Sequence, residues 1–195
     1  MPKKTRTAIP KETHDKVLAE YNHRCAICGN DRPQLHHINE NPADHDLENL
    51  LPLCPNCHIV DQHNPTVPHN ARKMKLFRVY KDPSILSPQF HVLFNRLQFL
   101  EDSELETDIE HAGWKAARLV NFIAELQMGE FYSSEIGALI REPAHGYVEG
   151  GGLTRDDALR KHYKEYRTIL QSNKNHVYEL AVELLRFQSW HRPAA

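Results

Sequence analysis

Four cysteines constrain this chain more than any other feature of its sequence. They are the only cysteines in the 195 residues, and they form two C-x2-C pairs, Cys25/Cys28 and Cys54/Cys57, with 25 residues between the pairs. Two residues between paired cysteines favour a tight turn, which lets two thiolates converge on one tetrahedral ion. We therefore expect a structural Zn²⁺ held by four thiolates, with no open coordination position for chemistry.

The alternatives for these cysteines are two disulfides or four buried thiols without a metal. Disulfides need an oxidising compartment. The start of the chain, MPKKTRTAIPKETHDK, has basic residues but no apolar stretch after them, so it does not have the pattern of a secretory signal. No apolar run in the sequence reaches the roughly 18 residues needed to span a bilayer. We expect a cytoplasmic protein that does not enter a membrane, with zinc rather than disulfides.

Composition divides the chain near residue 82. Residues 1–81 hold 12 Lys and Arg against 9 Asp and Glu, and ten of the 12 prolines lie at or before Pro88. Residues 82–195 hold 12 Lys and Arg against 17 Asp and Glu. We expect a loop-rich module at 1–81 and an α-helical domain at 82–195. Apolar periodicity predicts helices at about 10–21, 69–81, 85–100, 109–128, 133–141, 154–171 and 174–190.

Two short apolar segments lie between the cysteine pairs and are separated by a polar loop. Residues 35–38 read as a short strand, and residues 47–53 as a second strand or turn. The second cysteine pair then forms a tight turn that leads into a helix. The sequence therefore predicts a mainly α fold with a small β-hairpin.

A group of histidines and an asparagine lies on the segment that the cysteines enclose. His36 and His37 are near its middle, Asn49 precedes the second cysteine pair, and His58 directly follows Cys57. Because the zinc draws both ends of the segment together, we expect these residues to lie close in space. Adjacent residues of an extended segment point to opposite sides, so one histidine can hold a metal while the other faces a substrate or water. Imidazole and amide oxygen suit a divalent metal that takes part in phosphate chemistry.

The stretch HRCAICG…LHHI…ENLLPLCPNCH resembles the HNH endonuclease family, and within it the subgroup with a four-cysteine zinc. The resemblance extends to the preceding IPKETHDKVLAEYNHRC and to the following CHIVDQHNPTVPHNARKMKLFRVY, and it covers about 40% of the chain. It implies a ββα-metal core stapled by the zinc, followed here by the α-helical domain. The implied activity is metal-dependent hydrolysis of phosphodiester bonds in DNA.

The resemblance also assigns roles to single residues. It implies that His37 is the general base that takes a proton from the attacking water. It implies that His36 and His58 hold a catalytic divalent ion such as Mg²⁺, Mn²⁺ or Ni²⁺. Asn49 matches the position that braces the loop and holds the base in place.

One position departs from the family pattern. The family often has a further metal ligand about four residues after its final histidine, and this chain has Gln62 there, a poor ligand. Asp61 and His63 flank it, and of the two we favour His63 as the third ligand. Water or phosphate oxygens could complete the shell.

Basic residues of the module are candidates for phosphate contact, and Arg72 and Lys73 are the ones we favour. The net charge of the module, +3, is modest, which favours help from a partner or a second subunit in holding DNA. The basic group that recurs along the predicted helix after the site is Arg72, Lys73, Lys75 and Arg78.

The acidic helical domain is predicted to bind a protein partner, to form a homodimer or to regulate the nuclease.

Two functions from different classes remain. The first is an HNH nuclease, and by analogy with family members of this size it would be the effector of a restriction or anti-phage system beside an ATPase or sensor subunit. The second is a noncatalytic zinc-binding module whose helical tail docks a protein or nucleic acid. The complete set of His36, His37, Asn49 and His58 favours the nuclease.

Overall fold

The structure, a computed structural model, describes residues 8–58, 71–86, 91–101, 111–144 and 154–190. These residues are mainly helical and include one two-stranded antiparallel hairpin, so the predicted fold class is confirmed. The chain divides into two compact units, Met1–Leu86 and Ser87–Ala195. The division thus falls a few residues beyond the boundary that composition suggests.

The first unit is a small hairpin flanked by helices. Pro10 precedes helix α1 (Lys11–Glu20) as its N-cap, a position where the backbone N–H that proline lacks would have no partner within the helix. A short 3₁₀ turn leads directly into the second strand. The elements are α1 (Lys11–Glu20), β1 (Gln34–His37), the 3₁₀ turn (Leu47–Asn49), β2 (Leu50–Leu53), a helical turn that begins at 55, α2 (Ala71–Tyr80) and a second 3₁₀ turn (Pro83–Leu86).

The hairpin sets the positions of the adjacent histidines His36 and His37. His36 is opposite Leu51 and His37 is opposite Leu50 in the antiparallel register. All of β2 is buried, and α1 packs against it. A one-residue slip would exchange the faces of the two histidines, so burial of β2 also fixes which histidine faces which way.

A buried arginine joins three elements of the first unit. The Arg78 guanidinium, only 4% exposed, donates to both carboxylate oxygens of Glu20 at 2.7 and 2.8 Å. Its Nε also donates to the Leu47 carbonyl at 3.2 Å. Because α2, α1 and the 3₁₀ turn before β2 meet at this side chain, the Arg78 ion pair holds the helices around the hairpin.

The second unit consists of helices. Among the described residues, each helix of this unit contacts the next helix along the chain, and apolar residues line the contacts. Among the described residues, no helix is both long enough and apolar enough to cross a membrane. The helices are α3 (His91–Leu97) with a 3₁₀ turn (Gln98–Leu100), α4 (Ala112–Ala124), α5 (Gly129–Leu139) and α6 (Arg155–Trp190).

The turn between α4 and α5 requires glycine. A Cβ at Gly129 would lie 1.9 Å from the Ile123 carbonyl oxygen, a distance that no side chain can occupy. Met128, just before it, has a φ of 60°. The glycine therefore allows the chain to reverse and lay α5 against α4.

The final helix is longer than periodicity suggests. The sequence predicted two helices, 154–171 and 174–190, but the structure has one 36-residue helix, so the predicted break is wrong. Asn173 lies at the expected break, and its side-chain amide donates to the Leu139 carbonyl at the end of α5 (2.8 Å). Asparagine lowers helix propensity because its amide competes for backbone groups, but here that amide binds another helix.

Candidate functional site

The four cysteines converge in the first unit. Their sulfur atoms all lie within 4.8 Å of one another, and the Sγ atoms of Cys28 and Cys54 are 3.6 Å apart. Four sulfurs bound at about 2.3 Å to one tetrahedral zinc would lie about 3.8 Å apart. All four thiols are free, so the disulfide alternative does not hold. The cluster fits a metal ion, with zinc the ion that best matches four thiolates.

Backbone hydrogen bonds shape the turn at each cysteine pair. The Gly29 N–H donates to the Cys25 carbonyl at 2.9 Å, and Gly29 has a φ of 73°, which glycine adopts readily. The Ala26 N–H donates to the Pro52 carbonyl of β2 at 2.8 Å, which attaches the first turn to the hairpin. The cysteine cluster and the hairpin therefore form one connected body.

The two cysteines of the second pair differ in the direction in which their thiol pKa is shifted. A hydrogen bond from the Cys57 backbone N–H is the main reason that the pKa of Cys54 is lowered to about 7. Burial raises the pKa of Cys57. A bound cation favours the thiolate form of every ligand, so metal binding would release protons from this cluster.

The imidazole rings of His36, on β1, and His58 lie next to each other. Their ring centroids are 5.0 Å apart and the rings are inclined at 68°. His36 is buried, and His58 lies on the helical turn directly after Cys57. Two imidazoles this close can direct one nitrogen each at a shared ion.

His37 has a different neighbourhood, as strand alternation predicts. It is less buried than His36, and its ring lies 5.8 Å from that of His45, with the planes inclined at 43°. His45 belongs to the polar loop between the strands. No spacing in the sequence pointed to His45, because its position depends on the path of that loop.

Asn49 holds the loop between the two strands by hydrogen bonds to three of its residues. Its side-chain oxygen accepts from the Asn39 N–H at 2.9 Å, and its amide nitrogen donates to the Asn39 side-chain oxygen at 2.9 Å and to the Asp44 carbonyl at 3.0 Å. Its backbone carbonyl accepts from the Ile38 N–H at 2.8 Å. Asn49 itself is 5% exposed, so its side chain is largely shielded from water. It thereby fixes the two residues that directly follow His37.

The structure describes only some of the remaining site residues that were predicted from the sequence. His63 lies outside the described residues, as do Asp61 and Gln62, and for Arg72 the structure describes the backbone of α2 but not the side chain. Lys73 is 6% exposed, and burial lowers its pKa to about 8. Its predicted contact with DNA stays a prediction.

Comparison with known proteins adds no relative. The chain matches no protein-family model, no curated protein and no solved structure.

Proposed function

We propose that this protein is a metal-dependent endonuclease of the HNH type that hydrolyses phosphodiester bonds in DNA. The observation that carries the proposal is the pairing of His36 with His58 at 5.0 Å, while the ring of the adjacent His37 lies beside His45. These are the residues to which the sequence resemblance assigns metal binding and base catalysis. The four-cysteine cluster supports the proposal because it belongs to the same subgroup pattern.

His36 and His58 would hold a divalent ion, with His63 as the proposed third ligand. When bound, such an ion stabilises negative charge on the phosphate and on the leaving oxygen. Both imidazoles must be neutral on the coordinating nitrogen for this role. The zinc at the cysteines is proposed to hold the site together and to take no part in the reaction.

His37 would act as the general base. Its imidazole accepts a proton from a water molecule, and that water attacks the phosphorus of the scissile bond. Asn49 keeps the base in position, because it fixes the backbone of the two residues that follow His37. By the same resemblance, the products would carry 5′-phosphate and 3′-hydroxyl ends.

One feature favours the alternative of a docking module. The second unit exposes large apolar side chains, with Trp114 59% and Phe131 57% exposed. Such residues are common at sites of protein contact. In the nuclease proposal the same unit would recruit a protein partner, such as an ATPase or sensor subunit in an anti-phage or restriction system, or a second copy of the chain.

Plasmid cleavage tests the proposal. Wild type, His37→Ala and the exposed-histidine control His14→Ala are incubated with supercoiled DNA and Mg²⁺, Mn²⁺, Ni²⁺ or chelator, and their zinc content is measured. We expect metal-dependent nicking or linearisation by wild type and His14→Ala, and its loss in His37→Ala with zinc unchanged. Cleavage by His37→Ala at the wild-type rate would refute the mechanism, and absence of cleavage and of a histidine-bound second metal would favour the docking module.

A further inference from the structure

The loop between the strands brings a second histidine next to the proposed base. His45 is half-buried, and its ring centroid lies 5.8 Å from that of His37. The neighbouring His36, a proposed metal ligand, has its ring next to that of His58 instead. The sequence resemblance assigns no role to His45.

The orientation of the His45 ring is fixed by the backbone. Its Nε2 lies 3.1 Å from the Pro42 carbonyl oxygen. A carbonyl only accepts hydrogen bonds, so Nε2 carries the hydrogen and points at the loop. Nδ1 has no hydrogen-bond partner among the residues that the structure describes. This second ring nitrogen is therefore the one available to a ligand.

One side chain holds both histidines in place. Asn49 bonds the backbone of the residues after His37 and, through its amide nitrogen, the carbonyl of Asp44, the residue before His45. Asp44 is held further by the Asn39 amide, which donates to its carboxylate at 2.6 Å. The brace that the resemblance associates with the base alone therefore also fixes His45.

We infer that His45 binds the scissile phosphate beside His37, with the Nδ1–H of its imidazolium form donating to a non-bridging phosphate oxygen. The inference rests on the proposed function. Charge-assisted hydrogen bonds of this kind are stronger than neutral ones, and a phosphate anion favours the charged form of a neighbouring imidazole. His37 stays neutral and faces the water, so the two histidines have complementary roles.

DNA binding without cleavage tests the contact. The His37→Ala protein, which cannot cleave in the proposed mechanism, is compared with His37→Ala carrying His45→Ala, His45→Arg or His14→Ala. Binding of a fluorescent DNA duplex is followed by anisotropy over a salt series in mildly acidic buffer, where imidazole is readily charged. We expect His45→Ala to raise Kd about threefold or more and to lower the salt dependence of log Kd by about one unit, the loss expected for one phosphate contact. His45→Arg should restore the slope, and His14→Ala should not change it.

Cleavage by the single variants separates this inference from the proposed function. We expect His45→Ala to slow plasmid cleavage about tenfold or more, with zinc content and Tm as in wild type. Suppose that His37→Ala is inactive, but that His45→Ala cleaves at the wild-type rate and leaves the salt dependence of DNA binding unchanged. This result would overturn the inference and leave the proposed function standing. A slow His45→Ala protein with a lowered Tm and no rescue by His45→Arg would assign His45 to holding the loop and would also overturn it. A wild type that neither binds nor cleaves DNA would overturn the proposed function and, with it, the inference.

Discussion

The imidazole rings of His36 and His58 lie 5.0 Å apart, although 21 residues separate them in the chain. His58 directly follows Cys57, so the position of its backbone depends on the cysteine cluster. His36 is fixed by its pairing with Leu51 in the hairpin. The proposed catalytic metal site is thus built on the structural one, and loss of the cysteine-bound ion would disturb both.

Removal of either imidazole should weaken the second metal site and leave the first intact. We expect His58→Ala to keep one zinc per chain but to bind added Ni²⁺ about tenfold or more weakly than wild type, because one of the three proposed protein ligands is lost. Calorimetric titration of the zinc-loaded proteins measures this affinity, and metal analysis afterwards shows whether zinc has stayed. His14→Ala, which removes an exposed histidine of α1, should titrate like wild type. Equal Ni²⁺ affinity in His58→Ala and wild type would rule out His58 as a ligand.

Loss of a cysteine ligand should unfold the first unit. Structural zinc sites contribute about 10–16 kcal/mol of binding free energy at neutral pH, which exceeds the free energy of unfolding of most domains. We therefore expect Cys54→Ser to lose zinc, and its peptides from residues 11–58 to lose protection in hydrogen-exchange mass spectrometry. Peptides from α4, α5 and α6 should keep their protection, because they belong to the other compact unit. A Cys54→Ser protein with wild-type exchange throughout would contradict a structural role for the cluster.

The convergence of the four cysteines could be predicted from the sequence, and so could the different surroundings of the adjacent residues His36 and His37. Both depend on local geometry. Two residues between cysteines define a turn, and neighbouring residues of a strand face opposite sides wherever that strand lies. The fold class followed from the same local patterns. None of these inferences requires knowledge of how distant segments pack.

The features that sequence reasoning missed depend on distant contacts. Arg78 belongs to the basic group along α2 that we considered for phosphate contact, yet it is buried against Glu20. The continuity of α6 through Asn173 depends on the end of α5, 34 residues earlier. The pairing of His37 with His45 depends on the path of a loop held by Asn49. Propensity and spacing do not record where a polar side chain finds its partner.

Replacement of Asn49 should destabilise the first unit. Asn49→Ala removes three side-chain hydrogen bonds and leaves the Asn39 N–H and the Asp44 carbonyl without that partner. We expect the free energy of unfolding to fall by about 2–4 kcal/mol, measured by chemical denaturation with zinc present. Asn41→Ala is the matched control, because Asn41 lies in the same loop but is exposed and its side chain accepts one long bond, 3.3 Å from the Ala43 nitrogen. Equal losses in the two variants would show that Asn49 has no special bracing role.

The Arg78 ion pair gives stability a defined dependence on pH. Hydrogen bonds from Arg78, supported by Lys81, lower the pKa of Glu20 from 4.5 to about 2, although burial opposes the shift. A carboxylate whose pKa is lowered by folding stabilises the folded state fully above its unfolded pKa, and loses that contribution as the pH falls towards the folded value. The contribution of Glu20 is therefore present at neutral pH and declines from about pH 4.5 to about pH 2.

Glu20→Gln should isolate this contribution. At pH 7 we expect the free energy of unfolding of the variant to be about 1–3 kcal/mol lower than that of wild type. This range is reduced to account for solvent screening, because the Glu20 side chain is 31% exposed. The difference should shrink below pH 4.5, and comparing the two proteins removes the effect of zinc loss in acid, which they share. Glu12→Gln removes an exposed glutamate in the first turn of the same helix and should cost less than about 1 kcal/mol at pH 7, the size of its interaction with the helix dipole. A difference between wild type and Glu20→Gln that stays constant from pH 7 to pH 3 would show that the pair stabilises the unit by packing, without a shifted carboxylate.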